Sequence, residues 1–181
     1  GDLSAGIVYT YSTTEGYMTA NDQFNFKIGA SINHILRPKF DWFYTGPDNL
    51  YRNLVLHADF LIGIPNSKLS LLPAVIAQFQ GPSKELLIGS LYRIELKPAS
   101  KITGFVKGSY FSIGTFYRIG DAFIPSVTIE IDHYSIGMSY DFNVSKLISA
   151  TRGNGGFEIS LKFRTPNPYL WKGYGFGRSK F

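Results

Sequence analysis

Glu130 and Asp132 are two carboxylates two residues apart. On a strand they share one face, about 6.8 Å apart at ~3.4 Å rise per residue. Inverting glycosidases hold their acid and base within that range. Any polar strand face supplies the same spacing, however, and no apolar pocket that would raise one carboxyl pKa is visible around them. His34, His57 and His133 stand far apart, outside any carboxylate-rich cluster, so no metal site is expected. Gly153-Asn154-Gly155-Gly156 lacks the Lys-Ser/Thr of a phosphate loop and precedes a strand pattern, which makes it a turn. Asn143-Val144-Ser145 matches a glycosylation triplet of the kind that arises by chance, and no Gly-x-Ser-x-Gly elbow is present. With no Cys in the chain, disulfides, thiolate metal sites and cysteine nucleophiles are excluded. The expectation is a protein with neither enzymatic activity nor a cofactor.

The elements carrying these residues are strands almost throughout. In 181 residues, 44% are hydrophobic and 17% charged, too apolar a mixture for a disordered chain. Apolar and polar residues alternate with period two. Phe24, Phe26, Ile28, Ala30 and Ile32 are interleaved with Asn25, Lys27, Gly29, Ser31 and Asn33. The same pattern runs through Leu54–Ile62, Leu86–Leu96, Phe111–Ile119, Val127–Ile131, Ile136–Phe142 and Phe157–Phe163. With Leu3–Tyr11 and Leu69–Phe79, nine strands are expected, most of them eight to twelve residues long. Soluble sandwiches favour ~5–6 residues per strand, whereas a tilted strand crossing a bilayer needs ~9–11.

Alternation alone leaves two architectures open, because a soluble barrel turns the oily face inward and a membrane barrel turns it outward. Aromatics favour the second. They make up 16% of the chain and gather near strand ends: Tyr9, Tyr11 and Tyr17; Phe40, Trp42, Phe43 and Tyr44; Phe116 and Tyr117; Tyr140 and Phe142. Rings so placed suit girdles at headgroup level. Short turns at Pro65-Asn66-Ser67 and Asp132-His133-Tyr134 contrast with long polar loops at Phe40–Leu50, Lys97–Gly108 and Val144–Gly156. Such a contrast predicts short turns at one barrel end and long loops at the other. The charge is +5, but the 18 Lys and Arg are scattered, so no nucleic-acid partner is expected. No signal-peptide pattern stands at the N-terminus, and the chain reads as a mature or incomplete one.

Tyr140-Asp141-Phe142-Asn143-Val144-Ser145-Lys146-Leu147, followed by Gly155-Gly156-Phe157-Glu158-Ile159-Ser160-Leu161, resembles the closing signature of the PorP/SprF family. Its members are outer-membrane proteins of the type IX secretion system. The likeness extends through Tyr117-Arg118 with Asp121-Ala122, Thr103-Gly104, Tyr92-Arg93 and Gln80-Gly81-Pro82, back to His34-Ile35-Leu36-Arg37-Pro38-Lys39. Tyr140, Asp141, Asn143, Ser145, Gly155, Gly156 and Glu158 carry the signature.

The resemblance implies an all-β, antiparallel transmembrane barrel of FadL-like type in the bacterial outer membrane. It implies a role in secreting, or holding at the cell surface, adhesins and other substrates with type B C-terminal domains. Membrane lipid, periplasmic ring lipoproteins and a peptidoglycan-linked protein are the implied neighbours. Family members look longer, and single-chain bacterial barrels close with an even strand count. Residues 1–165 are therefore expected to supply part of a larger barrel, completed by N-terminal strands absent from this sequence or by another chain. Pro166 and Pro168 should end the wall, leaving 166–181 as a tail outside the barrel.

Arg118, Glu130, Asp132 and Asp141 are the expected lumen- or partner-facing residues. On Phe24–Asn33, Phe26 and Ile28 should face lipid, while Asn25 and Lys27 face the lumen and Asn25 tolerates Arg at little cost. A FadL-type channel for small apolar solutes and a soluble β-barrel binding module are the alternatives.

Overall fold

Period-two alternation builds antiparallel strands across the residues described in this computed structural model, namely 1–13, 21–40, 48–98, 108–145 and 154–164. In chain order these are β1 (Ala5–Ser12), β2 (Phe24–Asn33), β3 (Lys39–Phe40), β4 (Asp48–Asn49), β5 (Asn53–Gly63), β6 (Leu69–Gln80), β7 (Ser83–Lys97), β8 (Ser109–Arg118), β9 (Ala122–Ile131), β10 (Tyr134–Asn143) and β11 (Asn154–Phe163). Nine of them form one sheet in the order β1-β2-β5-β6-β7-β8-β9-β10-β11, each long strand beside its neighbour in sequence. The remaining two, β3 and β4, make a two-residue ribbon between β2 and β5, where the sequence reads only as loop. All nine expected strands form, and β7 extends to 15 residues. The tail and the girdle aromatics Tyr17, Trp42, Phe43 and Tyr44 lie outside the described residues.

Tight connections follow from local chemistry. Gly81 at φ 58° starts the two-residue β6–β7 turn, a left-handed conformation that glycine adopts without steric cost. Asn66 at φ 57° and Asp132 at φ 52° serve the β5–β6 and β9–β10 turns, as short polar side chains tolerate that region.

In such a meander, successive connections must leave from opposite ends of the sheet. The β1–β2, β5–β6, β7–β8 and β9–β10 connections share one end, here the His133 end. Asn21 shows this directly: its side-chain amide donates to the Leu69 carbonyl at 2.6 Å, tying the β1–β2 connection to the β5–β6 turn. The other four connections leave from the Gly120 end, where the Val144 amide donates to the Asp121 carbonyl at 2.8 Å. The expected segregation of short turns from long loops is therefore absent. Lys97–Gly108 shares its end with both short turns, because an even number of strands separates it from each.

Two prolines mark breaks in the ladder. Pairing of β5 with β6 runs to Asp59↔Ala74 and resumes at Ile62↔Leu71, and Pro73 stands in the gap. Pairing of β9 with β10 runs to Ser139↔Ser126 and resumes at Phe142↔Phe123, with Pro125 in the gap. Each proline lacks the N–H that would bond to that neighbour, while its other side stays paired, Pro73↔Ser90 and Thr115↔Pro125.

The two faces of the sheet differ in chemistry and in exposure. Ile7 (75% exposed), Leu161 (73%), Ile159, Ile88, Tyr92, Ile113, Ile136 and many other large apolar side chains stand open on one face. The sheltered polar residues are Asn25 (4%), Ser70 and Ser112 (1%) on the other. Along β7 the positions 87, 89, 91, 93 and 95 on the polar face are less exposed than 86, 88, 92 and 96 on the other, as on the inner side of a curled layer, so the polar face is the concave one. Water would oppose this arrangement, since each large apolar side chain left exposed forgoes about 1.5–3 kcal/mol of burial. The strands β1 and β11 form the two edges and do not pair with each other, so the sheet is open.

Candidate functional site

The concave face is organised in three layers across its central strands. At the His133 end, Arg93 of β7 reaches over β8 to Glu130 of β9, Nη2 to Oε2 at 2.9 Å. Its guanidinium carbon lies 3.7 Å from the centre of the Tyr110 ring, a cation–π contact. The strand it crosses presents Ser112, paired with Arg93 on one side and Thr128 on the other. A residue that small leaves room for the guanidinium, and Ser112 is covered as a result.

The Gly120 end repeats the device. Arg118 of β8 reaches over β9 to Asp141 of β10, Nη1 to Oδ2 at 3.3 Å. The same guanidinium meets Asp121 at 3.1 Å and Glu85 at 3.1 Å. Here the crossed residue is Ala122, fully buried and paired with Arg118. Three carboxylates thus share one guanidinium.

Between the two charged layers lies an apolar one. Register sets Leu72 opposite Leu91, and Ile76 opposite Leu87 extends the apolar surface into the row of Arg118, which Leu87 pairs with on its other side. It sets Phe116 beside Gly89 and opposite Ile124. Phe116 therefore belongs to the concave face rather than to the expected girdle, whereas Tyr9, Tyr11, Tyr117, Tyr140 and Phe142 stand on the apolar face as expected. On that face Tyr11 stacks on Phe26 with centroids 5.3 Å apart, and Tyr140 meets Phe142 at 4.7 Å.

Of the residues read from the sequence, Arg118, Glu130 and Asp141 are on the concave face, with Arg118 and Asp141 brought together. Asp132 leaves the strand: β9 ends at Ile131, and the Asp132 carboxylate contacts His133 Nδ1 in the turn. The two-carboxylate face expected of Glu130 and Asp132 is therefore not formed, because the positive φ at Asp132 breaks the alternation. His34 pairs with Asp2 at 2.5 Å, and His57 lies against Gly29 on the neighbouring strand. Asn25 does not offer free lumen space, since it is nearly buried and accepts a bond from Ser12 Oγ at 2.7 Å. An Arg there would have to displace that pair, contrary to the expected tolerance.

The signature residues cluster at the β10–β11 seam. Tyr140 pairs with Phe157 on the apolar face, and Ser139 with Glu158 on the concave face. The register slips between Tyr140 and Phe142, which brings Gly155 against the Asp141 backbone. A Cβ at Gly155 would collide with the Asp141 carbonyl oxygen, whereas Gly156 faces open space. Asn143 closes β10 opposite Ala122, with Ser145 in the bend beyond. Arg93 and Asp121 enter the sequence reading only through the family likeness, and Glu85 is not read there as a site residue. They occupy polar positions, but only the register shows which guanidinium each one serves.

An oily convex face, a charged concave face and strands of bilayer-crossing length define a class: an all-β membrane protein whose strands form barrel wall. The family comparison agrees. The model for the family described as Type IX secretion system membrane protein PorP/SprF matches residues 1–163, and the chain belongs to that family. It is thus a membrane component of the type IX secretion system. No curated protein and no solved structure matches the chain.

Proposed function

We propose that this chain forms wall of an outer-membrane β-barrel that serves, without catalysis, in the secretion or cell-surface anchoring of adhesins and other substrates with type B C-terminal domains. The observation that carries the reading is the inverted sheet, with its oily face outward and its ion pairs inward. Lipid covers the convex face, and periplasmic ring lipoproteins and a peptidoglycan-linked protein are the neighbours. The open edges β1 and β11 require partners in a bilayer, where each unpaired N–H or C=O costs several kcal/mol. We assign those partners to strands outside this sequence or to another chain. Arg118, Glu130, Asp132 and Asp141 are the residues proposed to contact docked substrate or partner.

Deleting the gene from its host tests the role. The expected result is loss of adhesin from the cell surface and of type B cargo from the medium, restored by the intact gene. Normal levels of both would overturn the reading. A second reading, a channel for small apolar solutes, draws support from the apolar layer at Leu72, Ile76, Leu87, Leu91, Phe116 and Ile124. Uptake of such a solute that depends on the gene while adhesin display does not would favour it.

A further inference from the structure

Away from the strand ends, the described residues of the convex face are apolar or aromatic at every position but two. The exceptions are Ser90 of β7 and Thr115 of β8, directly opposite each other in register. Ser90 is the central residue of the 15-residue β7, so the pair sits at mid-height, away from the connections at both ends. Ser90 Oγ is covered and has no hydrogen-bond partner among the described residues, while Thr115 is exposed. Hydrocarbon holds no water to serve them, and a hydroxyl without a partner there is unfavourable.

The row continues through proline on both sides, Pro73 opposite Ser90 and Pro125 opposite Thr115. Two taller pairs frame its centre along the strands: Ile88 opposite Tyr117, and Tyr92 opposite Ile113, all 41–60% exposed. The oily face of β6 to β9 therefore carries a low band with two hydroxyls at its middle.

This pattern is complementary to itself. A two-fold axis along the bilayer normal keeps two copies inserted in the same sense. Passed between Ser90 and Thr115, it brings the two hydroxyls of one copy against the two of the other, and a hydroxyl both donates and accepts. With strands tilted by about 35–45°, each proline of one copy then faces an Ile or a Tyr of the other's frame. The contact area is adequate. Four strands about 4.8 Å apart and ten residues tall at about 3.4 Å each present roughly 650 Å² per copy. Two such faces bury about 1,300 Å², inside the ~1,200–2,000 Å² of specific, stable interfaces.

Resting on the membrane reading of the two faces, we propose that the convex face of β6 to β9 is an interface between two copies of this chain in the membrane. Ser90 Oγ, turned outward by a rotation about χ1, and Thr115 Oγ1 hydrogen-bond across the two-fold axis. Ile88, Tyr92, Ile113 and Tyr117 pack around them and keep lipid out. Within a bilayer, close packing and hydrogen bonds drive association in place of water exclusion, so a low band with central hydroxyls is where two walls meet best. Lipid covers the rest of the convex face, and the concave face stays free for the role proposed above.

The chain has no native cysteine, so Thr115→Cys introduces a single reporter. Two copies with different epitope tags are expressed together in the host, and its outer membranes are treated with a short, lipid-permeable bis-maleimide. A cross-linked species carrying both tags is expected, at about 10-fold the yield from Ile28→Cys, because an isologous contact is confined to its own patch. Ile28 lies on the same face, three strands from β7. A Thr115→Cys product that joins the chain to a different protein overturns the proposal, as does a yield no higher than that of Ile28→Cys. Co-purification of the two tags from gently solubilised membranes should fall about 5-fold when Ser90→Ala and Thr115→Val are combined in both copies. Unchanged co-purification would show that the hydroxyls do not hold the copies together and would also overturn it. Should the double variant fail to insert, the cross-link decides alone. Neither Thr115→Cys nor Ile28→Cys should react with a membrane-impermeant maleimide. Reaction of both would instead sink the membrane reading on which the interface rests.

Discussion

Arg118 Nη1 lies 3.3 Å from Asp141 Oδ2 although their strands, β8 and β10, do not pair with each other. The bridge passes over Ala122 and clamps three strands on the concave face. Removing the guanidinium takes from Asp141, Asp121 and Glu85 the cation that they share. Arg118→Met is expected to cost about 1–3 kcal/mol, discounted from the buried-pair range because Arg118 is 30% exposed. Asp141→Asn should cost less, since Arg118 keeps two carboxylates. The double variant should depart from additivity by about 0.5 kcal/mol or more. Urea unfolding in lipid vesicles measures all three, and strict additivity would show that the contact is not energetically coupled.

The two faces of β2 differ in the price of a charge. Ile28, 47% exposed on the convex face, should lose about 2–4 kcal/mol on replacement by Arg near the bilayer midplane. Ser31→Arg, on the concave face opposite Gly6, should lose little. The same unfolding assay reads the difference. Equal costs, or the reverse order, would contradict the orientation.

At the β10–β11 seam, neighbouring glycines separate packing from flexibility. Gly155→Ala drives a methyl into the Asp141 carbonyl and is expected to destabilise by about 1–3 kcal/mol. Gly156→Ala meets nothing and should stay within about 0.5 kcal/mol of the parent. A like effect from both would mean that backbone freedom, rather than close approach, selects glycine here.

Pro125 leaves the β9–β10 ladder broken opposite Tyr140 and Asp141. Pro125→Val restores a donor facing β10 and adds a β-branched residue to the lipid face. A gain of about 0.5–1.5 kcal/mol is expected, along with slower amide exchange at the adjacent β10 positions. Unchanged exchange would show that the break has another cause.

The wall was legible because strand faces are written with period two, and the family resemblance lay in runs such as Tyr140–Leu147 and Gly155–Leu161. The ion-pair layers were not. Arg93 and Glu130 are 37 residues apart, and only the registers of β7, β8 and β9 bring them level. Phe116 was misplaced because an aromatic near a strand end looks alike whichever face it takes. Asp132 was misplaced because one left-handed residue ends the alternation that put it beside Glu130. Loop sidedness failed for a third reason: it depends on counting strands between connections, not on the composition of any one loop.

Spin labels placed one at a time along residues 24–33, in a chain that lacks native cysteine, test the central claim most directly. In outer-membrane lipid, labels at positions 26, 28 and 30 should collide preferentially with oxygen, and labels at 27, 29 and 31 with a water-soluble nickel complex. A period-two pattern in that phase is the expected result. The opposite phase, or no alternation, would contradict a sheet whose oily face meets lipid and whose ion pairs line the interior.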